Sequence, residues 1–506
     1  MKNFLYFLAC YLLANSLKAQ PFIQWSKVIG GSKTETAWSI LEASGGGYLL
    51  TGITSSNNGD ISGNGGHFDA YIAKLNNLGA VEWQQVLGGS ENEYANHALE
   101  TTDGGFIVVG YASSLDGEVP VTNGSTDGLI IKFSSTGNIE WQRIIGGSAY
   151  DVFLRITKSP NGGYILIGTT DSTDGDVTEN NGGTDCWLVK IDESGNLEWQ
   201  KTYGGSKDEV GLSVVASPDG GYIVGSDTKS DDGDVTGYHP NSQDLSARDF
   251  WIIKTDDAGE IQWQKALGGS RDDVMAGVIL SKGGGYMAIG TTNSIDGDVF
   301  ENYGKSDIWL VKLDSDGALN WQENYGDIGY ENISSGLVSE DDGYVFCARF
   351  SGMVTFGLCK IDESGALLWQ VFFGGDICYD VKIASDKGYI LAGYSSFVQP
   401  DVPVNYGNSD ILIHKLSPQA VRVDDPKNAR LQLFPNPASH QVTINIPSEE
   451  PDMFVRIFNV FGQSILQQNI QNGDDIDIST LPNAVYSIQV TTPEGISYSA
   501  TLYKTE

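Results

Sequence analysis

The sequence predicts an all-β protein: a seven-bladed β-propeller followed by a small Ig-like antiparallel β-sandwich. Three features predict it, namely a tryptophan that recurs at a nearly constant spacing, short alternating runs joined by Gly-rich turns, and a change of pattern near the C-terminus. A repeat of this length with four short strands is typical of propeller blades. The recurring tryptophans, at spacings of 58, 58, 58, 64, 58 and 48 residues, are Trp25, Trp83, Trp141, Trp199, Trp263, Trp321 and Trp369.

The composition fits an exported protein that is rich in turns. With 506 residues the chain is too long for one ordinary core, and its 63 glycines favour a β protein with many turns. Acidic residues outnumber basic residues 65 to 30, for a formal net charge of -35. Such acidity argues against nucleic acid and anionic membrane surfaces as partners, because both require basic patches. Two interpretations stay open: solubility outside the cell, and a requirement for divalent cations.

Residues 1–19 are predicted to be a secretory signal peptide. Lys2 supplies the positive start, and the apolar run of residues 4–13 is too short to span a membrane comfortably. Ala19 is the expected cleavage residue, which leaves Gln20 as the first residue of the mature chain. Cleavage one residue later would place a proline directly after the cut, which is usually avoided. We therefore expect the mature chain to be exported.

The third unit shows how one blade is built. Gly-rich turns follow its first and third strands, and a long polar loop follows its second. The last unit stops after its third strand, whereas the strand that contains Trp25 has no unit before it. This N-terminal strand is expected to complete the last blade and to hide two sheet edges at once, so the propeller should span residues 20–417. The strands of the third unit are expected at about residues 155–159, 164–169, 186–191 and 197–203.

The repeat resembles a known family. Its motif runs Gly-Gly-Ser-x-x-(Asp/Glu), then Asp-Gly-Gly-Tyr-Ile, Gly-x-Thr-x-Ser and Gly-x-x-Asp-x-Trp-Leu-Val-Lys. This motif is similar to the seven-bladed β-propeller repeat of secreted bacterial proteins, and the similarity covers most of the chain. The resemblance implies a fold and says little about an activity, because one fold hosts many functions.

Two kinds of charged residue recur in every unit. An acid follows each connection between blades, and it is either one member of a cation or substrate ring at the channel mouth or a hydrogen-bond acceptor within the fold. A catalytic group is needed once rather than seven times, which favours the second interpretation. A lysine also recurs, and six of the seven follow an aspartate by five residues, which favours an ion pair or a capped strand end. The acids are Glu35, Glu93, Asp151, Glu209, Asp273, Glu331 and Asp380; the lysines are Lys74, Lys132, Lys190, Lys254, Lys312, Lys360 and Lys415.

The long loops are predicted to lie on one face of the ring, where contacts with partners are expected. Closely spaced carboxylates around a glycine in these loops suit Ca²⁺, which takes six to eight oxygen ligands. Asp-Gly is also a common turn dipeptide whose aspartate bonds its own backbone, and the ligand series of an EF-hand is absent. Calcium is therefore a candidate cofactor beside a purely structural role. The candidate ligands are Asp116, Glu118, Asp174, Asp176, Asp232, Asp234, Asp296 and Asp298.

Some units depart from the repeat. Blade four carries six extra residues in the segment 237–248, which includes His239 and Arg248, and blade six has lost ten residues. Blade one has His67 and Phe68 in the same loop. These departures are interpreted either as the walls of a pocket on the long-loop face or as drift in tolerant loops.

Four cysteines follow the predicted signal peptide: Cys186, Cys347, Cys359 and Cys378. An exported chain can oxidise them. Cys347 and Cys359 are expected on adjacent strands of one repeat, where they are candidates for a disulfide. The alternative is that these cysteines are small buried hydrophobic residues.

The end of the chain is predicted to be a separate domain. Residues 418–430 are polar, contain two prolines and lack the repeat, so they are expected to form a linker. Residues 431–506 contain seven short strand-like runs, which suit a small antiparallel sandwich. Three segments of this domain carry a resemblance: Leu-Phe-Pro-Asn-Pro-Ala at 433–438, Val-Arg-Ile-Phe-Asn-Val-Phe-Gly-Gln at 455–463, and Ile-Ser-Thr-Leu-Pro-Asn-Ala-Val-Tyr at 478–486.

These segments resemble the type A C-terminal sorting domain of type IX secretion substrates, although Ala484 stands where glycine is usual. The resemblance implies that the type IX secretion machinery recognises residues 431–506. It further implies Sec export, passage through the outer membrane, removal of this domain, and either release or attachment to surface lipopolysaccharide.

The sequence leaves three functions of different classes open. No nucleophile elbow, P-loop, zinc motif or dinucleotide fingerprint occurs, which favours a non-enzymatic binding or adhesion protein with a glycan or protein ligand on the long-loop face. The second function is a secreted hydrolase or lyase that acts on glycans or peptides at the channel mouth, and the third is a surface-layer component. One non-repeating cluster of acid, base and aromatic residues with shifted pKa values would favour the enzyme. A regular sevenfold ring would favour binding.

Overall fold

The structure is a computed structural model that describes residues 20–240, 246–326, 328–350, 355–399, 401–418, 431–434, 438–446, 453–459, 464–492 and 497–504. Within these ranges the elements of secondary structure are all β-strands, and they form nine sheets. Seven of the described sheets have four strands each and form the blades of the propeller, as predicted. The predicted signal peptide with Ala19 lies outside the described residues.

The first strand, β1 (Ile23–Ile29), belongs to the last blade. The strands after it fold in chain order into antiparallel blades of four. Blades one to three consist of β2 (Glu35–Glu42), β3 (Tyr48–Thr54), β4 (Asp69–Leu75) and β5 (Val81–Leu87); β6 (Glu93–Glu100), β7 (Phe106–Ala112), β8 (Asp127–Phe133) and β9 (Ile139–Ile145); and β10 (Asp151–Lys158), β11 (Tyr164–Thr170), β12 (Asp185–Ile191) and β13 (Leu197–Tyr203). Blades four to six consist of β14 (Glu209–Ala216), β15 (Tyr222–Thr228), β16 (Asp249–Thr255) and β17 (Ile261–Leu267); β18 (Asp273–Leu280), β19 (Tyr286–Thr292), β20 (Asp307–Leu313) and β21 (Leu319–Tyr325); and β22 (Asn332–Val338), β23 (Tyr344–Arg349), β24 (Thr355–Ile361) and β25 (Leu367–Gly374).

Blade seven closes the ring with a strand from the other end of the propeller. Its strands are β26 (Ile377–Ile383), β27 (Tyr389–Ser395) and β28 (Asp410–Leu416), and β1 supplies the fourth. β1 runs antiparallel to β28, with Ile23 opposite Leu416. The predicted exchange of the N-terminal strand is confirmed, and it removes the free edge that a three-stranded blade would expose.

The first strand of every blade lies at the centre of the ring. β2, β6, β10, β14, β18, β22 and β26 contact one another in this order, and β26 contacts β2. These inner strands enclose the central channel. The middle strands are buried between neighbouring blades; β3, for example, is buried along its whole length because a propeller blade is covered on both faces.

The recurring tryptophan joins each blade to the next at the outer edge. A Cβ on the turn glycine Gly195 would come within 2.5 Å of the indole of Trp141 in the preceding blade. Gly195 also has a φ of +80°, which favours glycine at this place. The tryptophan repeat therefore reflects packing between blades. The six described pairs of this kind are Trp25–Gly79, Trp83–Gly137, Trp141–Gly195, Trp199–Gly259, Trp263–Gly317 and Trp321–Gly365.

The C-terminal part is a two-sheet β-sandwich, as predicted. In its described residues one sheet has the order β29-β30-β33 and the other the order β32-β31-β34-β35. Val455, Ile457, Ile488 and Val442 are buried in its core. Its strands are β29 (Gln432–Phe434), β30 (Gln441–Asn445), β31 (Met453–Phe458), β32 (Ser464–Ile470), β33 (Asp475–Asp477), β34 (Val485–Thr491) and β35 (Ser497–Tyr503).

Candidate functional site

Every inner strand carries a β-bulge at the same place. In β2 the register with β3 shifts between Ala37 and Ser39, so Trp38 is the extra residue. Bulges redirect side chains and are common next to functional sites. The residue after the bulge is not constant, unlike most of the repeat: three blades have serine there and the other four have His, Arg, Gly and Asp. In blades one to seven it is Ser39, His97, Arg155, Ser213, Gly277, Ser335 and Asp380.

Asp380 joins three consecutive blades through these positions. Its Oδ2 accepts hydrogen bonds from Ser39 Oγ and from the Ile40 amide of blade one, both at 3.1 Å. Its Oδ1 accepts from Ser335 Oγ of blade six at 3.1 Å and lies 2.8 Å from Nζ of Lys382. The side chain is 7% exposed. A single buried carboxylate is therefore shared by blades six, seven and one.

Charged side chains from different sides of the ring act on one another. Burial, together with the charges of Arg155 and Lys382, lowers the pKa of His97 to about 3, so its imidazole is neutral. Burial also lowers the pKa of Arg155, and the Asp380 carboxylate opposes that shift. Burial alone would raise the pKa of Asp380, but Lys382, His97 and the hydrogen bonds hold it below its ordinary value. Since blade seven borders neither blade two nor blade three, these charges influence one another across the channel.

Two aromatic side chains stand beside these groups. Trp38 and Tyr379 are the extra bulge residues of adjacent blades, and their ring centroids lie 4.4 Å apart. Within the described part of the chain, Trp38 Nε1 and His97 Nδ1 are buried and have no hydrogen-bond partner. Buried polar atoms normally have hydrogen-bond partners, so both atoms could bind a ligand that enters the channel. The channel cluster comprises Ser39, His97, Arg155, Ser335, Asp380 and Lys382, with Trp38 and Tyr379 beside it.

The recurring acids have a structural role. Glu35 is fully buried, and its Oε2 accepts a hydrogen bond at 2.7 Å from the Gly31 amide in the connection between blades. Equivalent bonds to the second glycine are made by Glu93, Asp151, Glu209 and Asp273. These side chains fix the connections, so they do not form a ring of free carboxylates.

The register of the acid in blade seven differs from the sequence interpretation. The connection into blade seven is shorter, and Asp376 rather than Asp380 takes the structural place, where its Oδ2 accepts from the Ser396 amide at 2.8 Å. Asp380 lies four residues further on, after the bulge. Asp380 therefore does not fix the connection between blades, and its carboxylate is available at the channel.

The aspartate five residues before each recurring lysine does not pair with it. Lys74 Nζ instead donates to the Gly46 carbonyl at 2.6 Å and contacts Glu82 at 3.2 Å. The aspartate lies at the opposite end of the strand: Asp69 Oδ2 accepts from the Gly65 amide at 2.8 Å. Both roles that the sequence allowed, an ion pair and a capped strand end, are present, but they belong to different residues.

This aspartate also faces the recurring acid of the next blade. Oδ1 of Asp185 and Oε2 of Glu209 both lie against the α-carbon of Gly204. Burial raises the pKa of Asp185 to about 7, and the charge of Glu209 adds to the shift. These junction pairs recur around the ring, and in the described residues Oδ1 of Asp69, Asp127, Asp185, Asp249 and Asp410 has no hydrogen-bond donor.

The candidate calcium ligands bond to the connections between blades. Asp174 Oδ1 accepts from the Ser148 amide at 2.7 Å, and Asp176 Oδ2 accepts from the Gly146 amide at 3.2 Å. Among the residues that the structure describes, no three His, Cys, Asp or Glu side chains converge to hold a metal ion. A calcium ion in these loops would need backbone carbonyls and water as further ligands. Bonds of the same kind occur at Asp116, Asp232, Asp234, Asp296 and Asp298, and Glu118 lies at the place of Asp176.

Calcium binding by these loops stays a prediction. It predicts that millimolar Ca²⁺, compared with excess EDTA, raises the Tm of the mature chain by several degrees, because a ligand that binds the folded state stabilises it. The shift should be smaller in the double variant Asp174→Asn/Asp176→Asn, which loses one pair of charged ligands. An unchanged Tm in calcium would show that the loops do not bind the ion. The role of their carboxylates would then be to accept hydrogen bonds from the backbone of the connections between blades.

The enlarged blade four forms a shallow groove with blade five. The groove has a volume of about 560 Å³ and is lined by Thr236, His239, Trp263 and Asp298 among others. His239 Nδ1 lies 2.8 Å from Oδ2 of Asp249. The inserted segment therefore forms one wall of a groove along the outer strand of blade four, and the short turn 316–318 of blade five forms another. The blade-six segment with the deletion falls partly on residues 351–354, which are outside the described residues.

Comparisons with known proteins agree with this architecture. Residues 432–503 match the family described as the secretion system C-terminal sorting domain. The chain is therefore a β-propeller protein with a type IX secretion sorting domain, and it is secreted or attached to the cell surface. In the described residues no helix is long and apolar enough to cross a membrane.

Similarity to individual proteins is remote. The chain is 24% identical over 253 residues to the regulatory protein FlaEY of Caulobacter vibrioides, which covers 46% of this chain and 26% of FlaEY. It therefore spans about a quarter of that relative's length. Among solved structures, the WD40 β-propeller domain of Doa1 is 9% identical with a TM-score of 0.44, covering 78% of this chain and 97% of that one. The Neurospora crassa Pan2 WD40 domain is 7% identical with a TM-score of 0.44, covering 79% and 96%.

Proposed function

We propose that this exported propeller is a binding protein that holds an anionic group of a glycan or protein ligand at the channel cluster. The observation that carries the proposal is the charge of the cluster: among the described residues Arg155 forms no ion pair with a carboxylate, and the pKa values of His97 and Asp380 are both lowered. Five blades contribute side chains to the cluster. The residues after their bulges are Ser39, His97, Arg155, Ser335 and Asp380. Recognition of one ligand requires such a single site, whereas sevenfold repetition serves the fold.

The charge of the cluster selects the chemistry of the ligand. Arg155 and Lys382 are cations, Asp380 is the one anion, and His97 is neutral. Arg155 donates from Nη1 to the carbonyl of Leu154 at 3.0 Å, and no carboxylate in the described part of the chain forms an ion pair with it. A half-buried guanidinium without a direct ion pair is costly. A carboxylate, sulfate or phosphate on the ligand would supply the missing charge in the bidentate geometry that arginine favours.

The pKa values favour binding over catalysis. A general base works best when its pKa lies near the working pH, but the pKa of His97 is about 3. Asp380 already accepts four hydrogen bonds, and its pKa lies below the ordinary value. Neither group is poised to transfer a proton at neutral pH. The alternative, a secreted glycan- or peptide-degrading enzyme at the channel, is favoured by one observation: acid, base and aromatic residues do form a single cluster there.

The test is a binding screen of the mature protein against acidic and neutral oligosaccharides and acidic peptides, with Arg155→Gln as the informative variant. We expect acidic ligands to bind the wild type and Arg155→Gln to lose at least tenfold in affinity, because the charged partner is gone. The Tm of this variant should stay the same or rise, since an unpaired buried charge has been removed. Lys201→Gln is the matched control, because its exposed ion pair with Glu260 lies on an outer strand.

Two outcomes would contradict the proposal. Equal affinity of wild type and Arg155→Gln would exclude the channel cluster as the binding site. Loss of binding in His239→Ala would then indicate that the ligand binds in the groove between blades four and five. Shortened oligosaccharides or peptides in the same incubations, detected by mass spectrometry and absent with the variant, would establish the enzyme instead. Export itself is tested separately, because removal of residues 1–19 in the secreted protein, with Gln20 at its N-terminus, is the expected processing.

A further inference from the structure

The predicted pairing of Cys347 with Cys359 does not occur. In the antiparallel pair β23–β24, Cys359 lies opposite Phe346 and Cys347 lies opposite Leu358. This offset of one residue points the two sulfur atoms to opposite faces of blade six. Cys359 packs toward blade five with Ile289 and Phe346, whereas Cys347 packs toward blade seven.

Cys347 instead meets Cys378 across the interface between blades six and seven. Their Sγ atoms lie 2.6 Å apart, and both side chains are buried. This separation is inside the van der Waals contact of two sulfur atoms and about half an ångström longer than a disulfide bond. The two strands, β23 and β26, are packed against each other, so the backbone already holds the cysteines at bonding range.

The same place in the other blades is filled by ordinary packing. At the junction of blades four and five, Gly225 faces Met275, and at the junction of blades three and four, Ile167 faces Gly211. The fold therefore requires no pair of cysteines at this place. Two of the four cysteines after the predicted signal peptide coincide at the one junction where a cross-link can form.

We propose that Cys347 and Cys378 form a disulfide that links blades six and seven in the exported protein. Two S–H bonds break and one S–S bond forms, and the two electrons and two protons pass to a disulfide oxidant of the export compartment, which leaves as two thiols. Compartments outside the cytoplasm support such bonds. Because the buried thiols are shielded from solvent, the exchange takes place before the two blades close on each other.

The bond lies beside the closure of the ring. Blade seven, which β1 completes, packs against blade six on one side and against blade one on the other. A cross-link between β23 and β26 ties the blade that is completed last to its neighbour. It also fixes Cys378 two residues before Asp380, so the disulfide positions the carboxylate of the channel cluster.

The test is differential labelling of the full mature chain purified from the exporting cell. Free thiols are blocked with N-ethylmaleimide in denaturant without reductant; the remaining cysteines are then reduced and labelled with iodoacetamide. Peptide mass spectrometry is expected to find Cys347 and Cys378 with the second label and Cys186 and Cys359 with the first. First-label modification of all four, or second-label modification of Cys359, would overturn the proposal.

Variants give an independent readout. Cys347→Ala should transfer Cys378 to the first label and leave Cys186 and Cys359 unchanged, whereas the control Cys359→Ala should leave the pair oxidised. Refolding in reductant should lower the Tm of the wild type by several degrees and leave the Tm of Cys347→Ala/Cys378→Ala unchanged. If the wild type shows the same Tm with and without reductant after refolding, the cross-link is absent. Should Cys347→Ala fail to accumulate, Cys378→Ala exposes the other sulfur and tests the same pairing.

Discussion

Replacement of Asp380 by alanine is expected to destabilise the propeller by about 2–4 kcal/mol, because it leaves a buried amide and a cation without their acceptor. The carboxylate accepts hydrogen bonds from three blades around the closure of the ring; the donors belong to Ser39, Ile40, Ser335 and Lys382. The side chain of Lys382 is 39% exposed and can turn toward water, which keeps the loss below that of a fully buried pair. Urea denaturation at pH 7 measures the change as a lower midpoint.

Two matched variants separate this bridge from a general effect of mutation in the channel. Ser213 holds the place of Asp380 in blade four, and its Oγ makes two long bonds to Val278: it accepts from the amide at 3.3 Å and donates to the carbonyl at 3.4 Å. Ser213→Ala should therefore cost no more than about 1 kcal/mol. Asp380→Ser introduces the residue that blades one, four and six carry at this place, and its loss should be intermediate. Equal midpoints for Asp380→Ala and Ser213→Ala would show that Asp380 does not bridge the blades.

A rise in pH from 5 to 8 is expected to weaken the junction pairs between blades. Burial first, and the facing acid second, raise the pKa of Asp185 to about 7 and that of Asp69 and Asp410 to about 6. A carboxyl whose folded pKa is raised contributes its stability below the unfolded value near 4 and loses it as the pH climbs through the folded value. Each such group is expected to cost on the order of 1–2 kcal/mol by pH 8, after allowance for screening near the loop face.

Asp185→Asn isolates one of these groups. The amide cannot ionise and can donate to the Glu209 carboxylate, so we expect the variant to be more stable than the wild type at pH 8 and similar to it at pH 5. The lowered pKa of the buried His97 destabilises the fold at low pH. Because His97 is present in both proteins, its contribution to the unfolding free energy cancels when the two are compared. Glu193→Gln, on an exposed turn of the same blade, should change neither value. The pH dependence of the difference in unfolding free energy, measured by urea titration, decides the matter.

The fold was predictable because its determinants repeat. The spacing of the tryptophans follows from one contact, between the indole of Trp141 and the turn glycine Gly195, copied around the ring. The closure of blade seven followed from a count of strands, since one unit lacked a strand and the N-terminus supplied one. The sorting domain was recognisable because its motifs lie in contiguous segments, and residues 432–503 match that family.

The channel cluster was missed because a β-bulge leaves no mark in the sequence. His97, Arg155 and Asp380 occupy equivalent places on their inner strands because the register of each strand shifts by one residue. The acid of blade seven was misassigned for a related reason: the shortened connection places Asp376 in the structural position. An alignment of the seven units by strand register, rather than by the Gly-Gly-Ser motif, would have placed the residues after the bulges in one column. The residue type in that column is not constant.

Ring closure orders the two ends of the propeller in time as well as in space. β1 leaves the ribosome before any other strand of the ring, yet its partner β28 is the last to be made. Until then β1 and the growing blades keep bare edges, the kind of surface that pairs with other chains. Contacts between such distant parts of a sequence also form slowly. A chain that is truncated before residue 410 therefore has no partner strand for β1 in blade seven.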